Sequence, residues 1–177
     1  QGATSTFSGI LQNGSEGSGN LALNIRGGNQ TFAMNQTFGG NLSVVGMSTV
    51  TLNGTSMAVN NTVIGGIANV RSVLVVNGGT LANNDGTDYG GMEIGSNDNY
   101  ASGALVVNNG GLVTTQNRIH VGGGTNVADT VGHAYGAVVL NGGTISVGPG
   151  TIDDLGIGHN QGTNAVGMGF LQVTGGS

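Results

Sequence analysis

Apolar and polar residues alternate along this chain in short runs, each closed by Asn and Gly. The clearest run is ALVVNNGGLV at Ala104–Val113, and it returns as VLVVNGGTL from Val73, AVVLNGGTI from Ala137 and FLQVTGGS from Phe170. The second glycine of each pair is Gly79, Gly111, Gly143 and Gly176, giving steps of 32, 32 and 33 residues. Alternation over a few residues, bounded by turn formers, marks a half-buried strand. Self-similarity at a fixed period of this size marks a stacked array. The predicted fold is therefore all-β: an elongated parallel β-solenoid (β-helix) of stacked Gly/Asn-turn rungs, without helix.

Aligning the copies predicts which way side chains point. Leu74/Val76, Leu105/Val107, Val138/Leu140 and Leu171/Val173 are equivalent, and between them stand Val75, Val106, Val139 and Gln172. A glutamine in the middle column assigns that column to the outside and the flanking columns to the core. NLALNIRGG near the N-terminus follows the same rule, with Leu23 and Ile25 inward and Asn24 outward, and reads as a divergent copy of that unit. A second half-phrase follows in each period: MEIGS at Met92, RIHVGG at Arg118 and DLGIGH at Asp154. Its alternation turns Met92/Ile94, Ile119/Val121 and Leu155/Ile157 inward, and Glu93, His120 and Gly156 outward. The simplest count is two rungs of about 16 residues per period, stacked ~4.8 Å apart, with one wide rung as the competing count. Stacking also lets equivalent Asn side chains form ladders.

Three segments follow. Residues 1–18 are Gly/Ser-rich and read as an N-terminal arm or cap, with Phe7 packed on the first turn. Residues 19–177 are the solenoid: short irregular rungs over 19–70, where turn glycines Gly28, Gly40, Gly54 and Gly66 come 12, 14 and 12 residues apart, then regular repeats over 71–177.

Composition narrows the function. Hydrophobic residues make up 37% of the chain, which supplies a thin core and argues against disorder. Lysine is absent, the cations are Arg26, Arg71 and Arg118, and net charge is −5. That excludes a nucleic-acid partner and an anionic membrane surface, both of which draw on clustered cations. No run approaches the ~20 apolar residues of a membrane span. With no cysteine there is no disulfide, thiolate metal site or Cys nucleophile. A surface with so few charges is weakly protected from self-association.

The phrases LVVNGGTL (Leu74–Leu81), MEIG (Met92–Gly95), LVVNNGGLV (Leu105–Val113), IHVG (Ile119–Gly122), VVLNGGTI (Val138–Ile145), LGIG (Leu155–Gly158) and LQVTGG (Leu171–Gly176) together resemble a known repeat. It is the repeat associated with autotransporter (type V secretion) passengers and PEP-CTERM surface proteins of bacteria. The resemblance covers residues 71–177, with an echo near 19–28. It implies an exported parallel β-solenoid at the bacterial cell surface, and it carries no catalytic signature.

Asp85, Asp88, Glu93 and Asp98 lie close in sequence and offer hard oxygens for Ca²⁺, but their spacing fits neither an EF-hand nor a calcium β-roll. A solvated loop with Asx-turns is the reading taken. The same carboxylates as a polysaccharide hydrolase pair lack a fixed separation. His120, His133 and His159 occupy different columns and read as unrelated surface histidines rather than a zinc site. Asp153 and Asp154 beside His159 have no nucleophile. The glycine runs lack the lysine of a phosphate loop. Sequons start at Asn13, Asn29, Asn35, Asn41, Asn53 and Asn60, as expected in a chain this rich in Asn and Thr. No catalytic residue, cofactor site or metal site is assigned, and the chain is not read as an enzyme.

The function expected is that of an extracellular structural protein, a subunit that self-assembles head to tail into a surface filament or layer. Its assembly edge is Phe170, Leu171, Gln172, Val173 and Thr174, the beginning of a fresh repeat. The alternative is an adhesin or glycan-binding passenger of a larger surface protein, using Tyr89, Tyr100 and Tyr135, all read as loop residues. A β-helical polysaccharide-degrading enzyme is the third reading.

Overall fold

The computed structural model describes residues 3–13, 20–84, 91–95, 100–123, 133–149, 154–158 and 166–177. Among them the regular elements are all strands, and there is no helix. The strands are β1 (Thr4–Phe7), β2 (Leu23–Phe32), β3 (Gln36–Thr37), β4 (Leu42–Asn53), β5 (Ser56–Val59), β6 (Thr62–Ile64), β7 (Arg71–Asn77) and β8 (Thr80–Asn83). They continue as β9 (Gly91–Ile94), β10 (Ser102–Asn108), β11 (Leu112–Thr115), β12 (Arg118–Val121), β13 (His133–Asn141), β14 (Thr144–Val147), β15 (Leu155–Ile157) and β16 (Val166–Val173). Every strand-to-strand pairing is parallel, within an 11-stranded sheet and a 5-stranded sheet. Together they wrap one core in a nearly barrel-like enclosure.

The pairings form three ladders. The first joins β1, the second half of β2, the second half of β4, and then β7, β10, β13 and β16. The second joins β3, β5, β8, β11 and β14. The third joins the first halves of β2 and β4 with β6, β9, β12 and β15. The chain visits first, second and third ladder in order and returns to the first one strand further on, as β7, β8, β9 are followed by β10, β11, β12. A parallel pair needs such a long crossover, because a hairpin turn reverses direction.

This corrects the preferred rung count. The Met92 half-phrase pairs with the Ile119 half-phrase of the next repeat, not with the Leu74 phrase of its own. One period is one circuit of three strands. The second strand was hidden because it follows the Gly-Gly corner directly, as TLAN, LVTT and TISV, and has only four residues. The register also reassigns NLALNIRGG. Leu23 lies opposite Leu42 and Ile25 opposite Val44, in the third ladder, so it echoes the second half-phrase rather than the first. Within the expected arm or cap, Thr4–Phe7 is a strand paired with residues 29–32, and Phe7 meets Phe32 edge-on at 5.7 Å.

The predicted facing holds through the middle of the stack. Leu74, Val76, Leu105, Val107, Val138 and Leu140 are buried, while Val75, Val106 and Val139 are half-buried and Gln172 is exposed. Met57, Leu81, Val113, Met92, Ile94, Ile119 and Val121 belong to the same core, which continues toward the N-terminus through Leu42, Val44, Val50 and Leu52. Two outward predictions fail: Glu93 and His120 hold outward positions of the third ladder but are buried. The Asn ladder is present, with Asn77 Nδ2 donating to Asn53 Oδ1 at 2.8 Å and Asn109 Nδ2 to Asn77 Oδ1 at 2.6 Å.

The paired glycines divide two tasks. Gly110 has φ +75 with open space around it, as the corner's reversal demands. Gly111 has an ordinary φ, but a Cβ there would stand 2.5 Å from the Val76 carbonyl oxygen of the preceding repeat. One glycine turns the chain and the next lets two backbones touch.

Candidate functional site

Three features stand out from the repetitive frame. The first is the end of the first ladder. β16 pairs with β13 over eight residues, and among the described strands nothing pairs with its other edge. The predicted edge residues are all here: Phe170 is 56% and Val173 54% exposed, Leu171 and Gln172 are exposed, and the Thr174 N–H donates to Leu140 O at 2.7 Å. Leu171 and Val173 continue the inward columns that are fully covered at Leu105 and Val107. Phe170 and Gln172 continue the outward ones. Leu155 and Ile157 of β15, which end the third ladder, are likewise exposed.

The second feature is a charged cluster on the third ladder. Register sets Glu93 beside His120 and His120 beside Gly156. His120 Nδ1 lies 3.2 Å from Glu93 Oε1, and its Nε2 lies 3.7 Å from Asp154 Oδ1. Arg118 reaches Glu93 Oε1 at 4.0 Å. A carboxylate and a guanidinium as buried as those of Glu93 and Arg118 persist only when paired, and the outward prediction for Glu93 and His120 fails where these strands pack together. His120 is thus not a surface histidine. Asp154 meets His120. Glu93 Oε2 and Arg118 Nε are buried and have no hydrogen-bond partner. Among the described residues no set of His, Cys, Asp or Glu is arranged to hold a metal ion.

The third feature is an aromatic row on the outer face of the first ladder. His133 and Tyr135 are on β13, and Tyr100 lies two residues before β10. The rings of Tyr100 and His133 stack at 5.7 Å and 12°, and those of His133 and Tyr135 at 6.4 Å and 16°. Tyr135 is read from the sequence as a loop residue and His133 as a surface histidine, but both pair with β16, and Tyr135 also with β10. Alternation put both on one face of the strand, a signal readable in HAYGAVVLN once the strand is started at His133. Arg71 lies opposite Ser102, and Ser102 opposite Tyr135, so this cation sits beside the row.

Asp85, Asp88, Asp98, Tyr89, Asp153 and His159 lie outside the described residues. Comparison with known proteins finds no matching family model, no matching curated protein and no matching solved structure.

Proposed function

We propose that the chain is an extracellular structural protein, an open-ended β-solenoid whose copies join head to tail into a filament or layer at the cell surface. The observation that carries this reading is that β1 and β16 end the same ladder. Followed from strand to strand, the register sets Thr4, Ser5, Thr6 and Phe7 in the columns of Phe170, Leu171, Gln172 and Val173. A second copy presenting β1 to β16 extends the ladder in phase, with Phe7 over Val173 and Thr6 over Gln172. Among the described strands the outer edges of β1 and β16 have no partner, and such an edge is a template for strand addition. A contact between two different surfaces does not close on itself and generates a filament. The joint rests on the first ladder; among the described strands no partner lies beyond Leu155 and Ile157 on the third. The sparsely charged, Asn- and Thr-rich composition and the lack of cysteine suit such a role.

Negative-stain microscopy and light scattering of the purified chain test it. Rods that lengthen with concentration are expected, and Leu171→Asp with Val173→Asp should leave monomers with an unchanged β circular-dichroism band. A strict monomer at every concentration, or rods indifferent to both substitutions, would refute it.

A further inference from the structure

The outer face of the first ladder carries a groove that end-to-end joining does not use. It measures about 330 Å³ beside Asn69, Arg71, Tyr100, Ser102 and Tyr135. It runs on into a further 220 Å³ over Ala104 and Ala137, sharing Arg71, Ser102 and Tyr135. Small residues make the floor, while aromatic rings and a guanidinium make the walls. Tyr100 is 46% and Tyr135 38% exposed, so neither ring is spent on the core.

The backbone gives a second, independent observation. Tyr100 has φ 59, a left-handed conformation that is an outlier for a bulky side chain. Its N–H donates to His133 O at 2.6 Å, and its carbonyl accepts from Asn69 N–H at 3.2 Å, so it occupies one corner of the stack with Asn69 a repeat earlier. Asn69 also has φ 59, which asparagine tolerates. A tyrosine where asparagine serves is strain that the corner itself does not require, and such strain gathers at binding sites.

We propose that this groove binds a carboxylated oligosaccharide. The ring faces of Tyr100 and Tyr135 that do not stack on His133 take the apolar C–H faces of sugar rings. Hydroxyls find Asn69, Ser102 and the tyrosine hydroxyls. Among the described residues Arg71 makes no ion pair, in a chain of net charge −5. Guanidinium engages carboxylate with two parallel hydrogen bonds. The walls stand on paired strands or their corner, so little ordering cost falls on binding. The stack advances by about 4.8 Å per strand, close to the length of one sugar unit, so an extended glycan lies along it in phase.

The chain has no tryptophan, so its intrinsic emission comes from tyrosine and reads the site directly. Titration with oligogalacturonate should quench this emission saturably, and the fully methyl-esterified oligomer should bind about tenfold more weakly, the scale of one charge-assisted hydrogen bond. Arg71→Gln should erase that difference. Tyr100→Asn, which copies Asn69 and relieves the strain, should raise the melting midpoint and lose the binding by calorimetry, a split that a purely structural tyrosine would not give. No saturable binding of either oligomer, equal binding of acid and ester by the parent chain, or full binding by Tyr100→Asn overturns the proposal. The end joint plays no part in this, so monomeric Leu171→Asp/Val173→Asp protein should bind the acid unchanged.

Discussion

Gly95→Ala separates the two costs that glycine removes from this fold. Gly95 closes the third strand of its repeat at φ +66, and a Cβ there would lie 1.8 Å from the Tyr135 carbonyl oxygen. Real Cβ contacts stay beyond 3.0 Å, so the two backbones must part by over an ångström. The movement pulls on the Gly95 N–H, which donates to Ile64 O at 2.7 Å. Gly110→Ala is the control: it shares the left-handed conformation, at φ +75, but no atom comes within 4 Å of its Cβ. The left-handed conformation alone costs an L-residue about 1–2 kcal/mol. Forcing an extra group into packed space costs about 1–3 kcal/mol more. Gly110→Ala should therefore lose about 1–2 kcal/mol and Gly95→Ala about 2–5 kcal/mol. That larger loss is a substantial part of the ~5–15 kcal/mol that holds a typical domain. Urea unfolding followed by circular dichroism measures both, with a constant slope as the check that only stability has changed. Equal losses for the two variants would refute the backbone-contact reasoning.

Two further substitutions test packing and charge. Leu105→Ala, at a fully buried position, should cost about 2–5 kcal/mol, whereas Val106→Ala, one residue on and facing out, should stay within about 1 kcal/mol on the same urea curves. Arg118→Met leaves the Glu93 carboxylate buried with one cation partner fewer and should cost about 3–5 kcal/mol, while adding Glu93→Met should restore much of that loss. Additive losses in this double-mutant cycle would show that the pair does not interact.

The strand phrases, their facing and the Asn ladder were legible because the pleat has a period of two and the repeats can be laid over one another. Gln172 alone was enough to orient the first ladder. Three things were not legible, each for a physical reason. The second strand of every circuit is four residues long and abuts its corner, too short for alternation to show. The third ladder of the N-terminal segment shares its apolar-x-apolar pattern with the first, so pattern could not assign NLALNIRGG to a ladder; hydrogen-bond register did. The burial of Glu93 and His120 depends on which strands become neighbours. Met92-Glu93-Ile94 and Ile119-His120-Val121 are 27 residues apart in sequence and adjacent only once β9 and β12 pair. The apolar end at β16 was legible because it repeats a known phrase. The aromatic row was only half legible: the tyrosines were visible, but Arg71 and His133 join them through pairing across repeats.

The same register explains where chemistry can sit on such a molecule. Inward columns are fixed by the core, and corner positions are restricted to residues that accept a positive φ or a touching backbone. A side chain that breaks the corner rule therefore carries information that an ordinary surface residue does not. Among the described non-glycine residues, Met47, Asn69, Tyr100 and Asn109 have positive φ. Asparagine at two of these needs no explanation, since it tolerates the conformation. Met47 is exposed at a bend of β4 and borders neither part of the groove. Tyr100 combines the strained corner, an exposed ring stacked on His133 and a place in one groove with Arg71, which makes no ion pair among the described residues. The repeat supplies a stiff ruler of backbone, and a departure from its rule beside an open groove is where recognition is most economically placed.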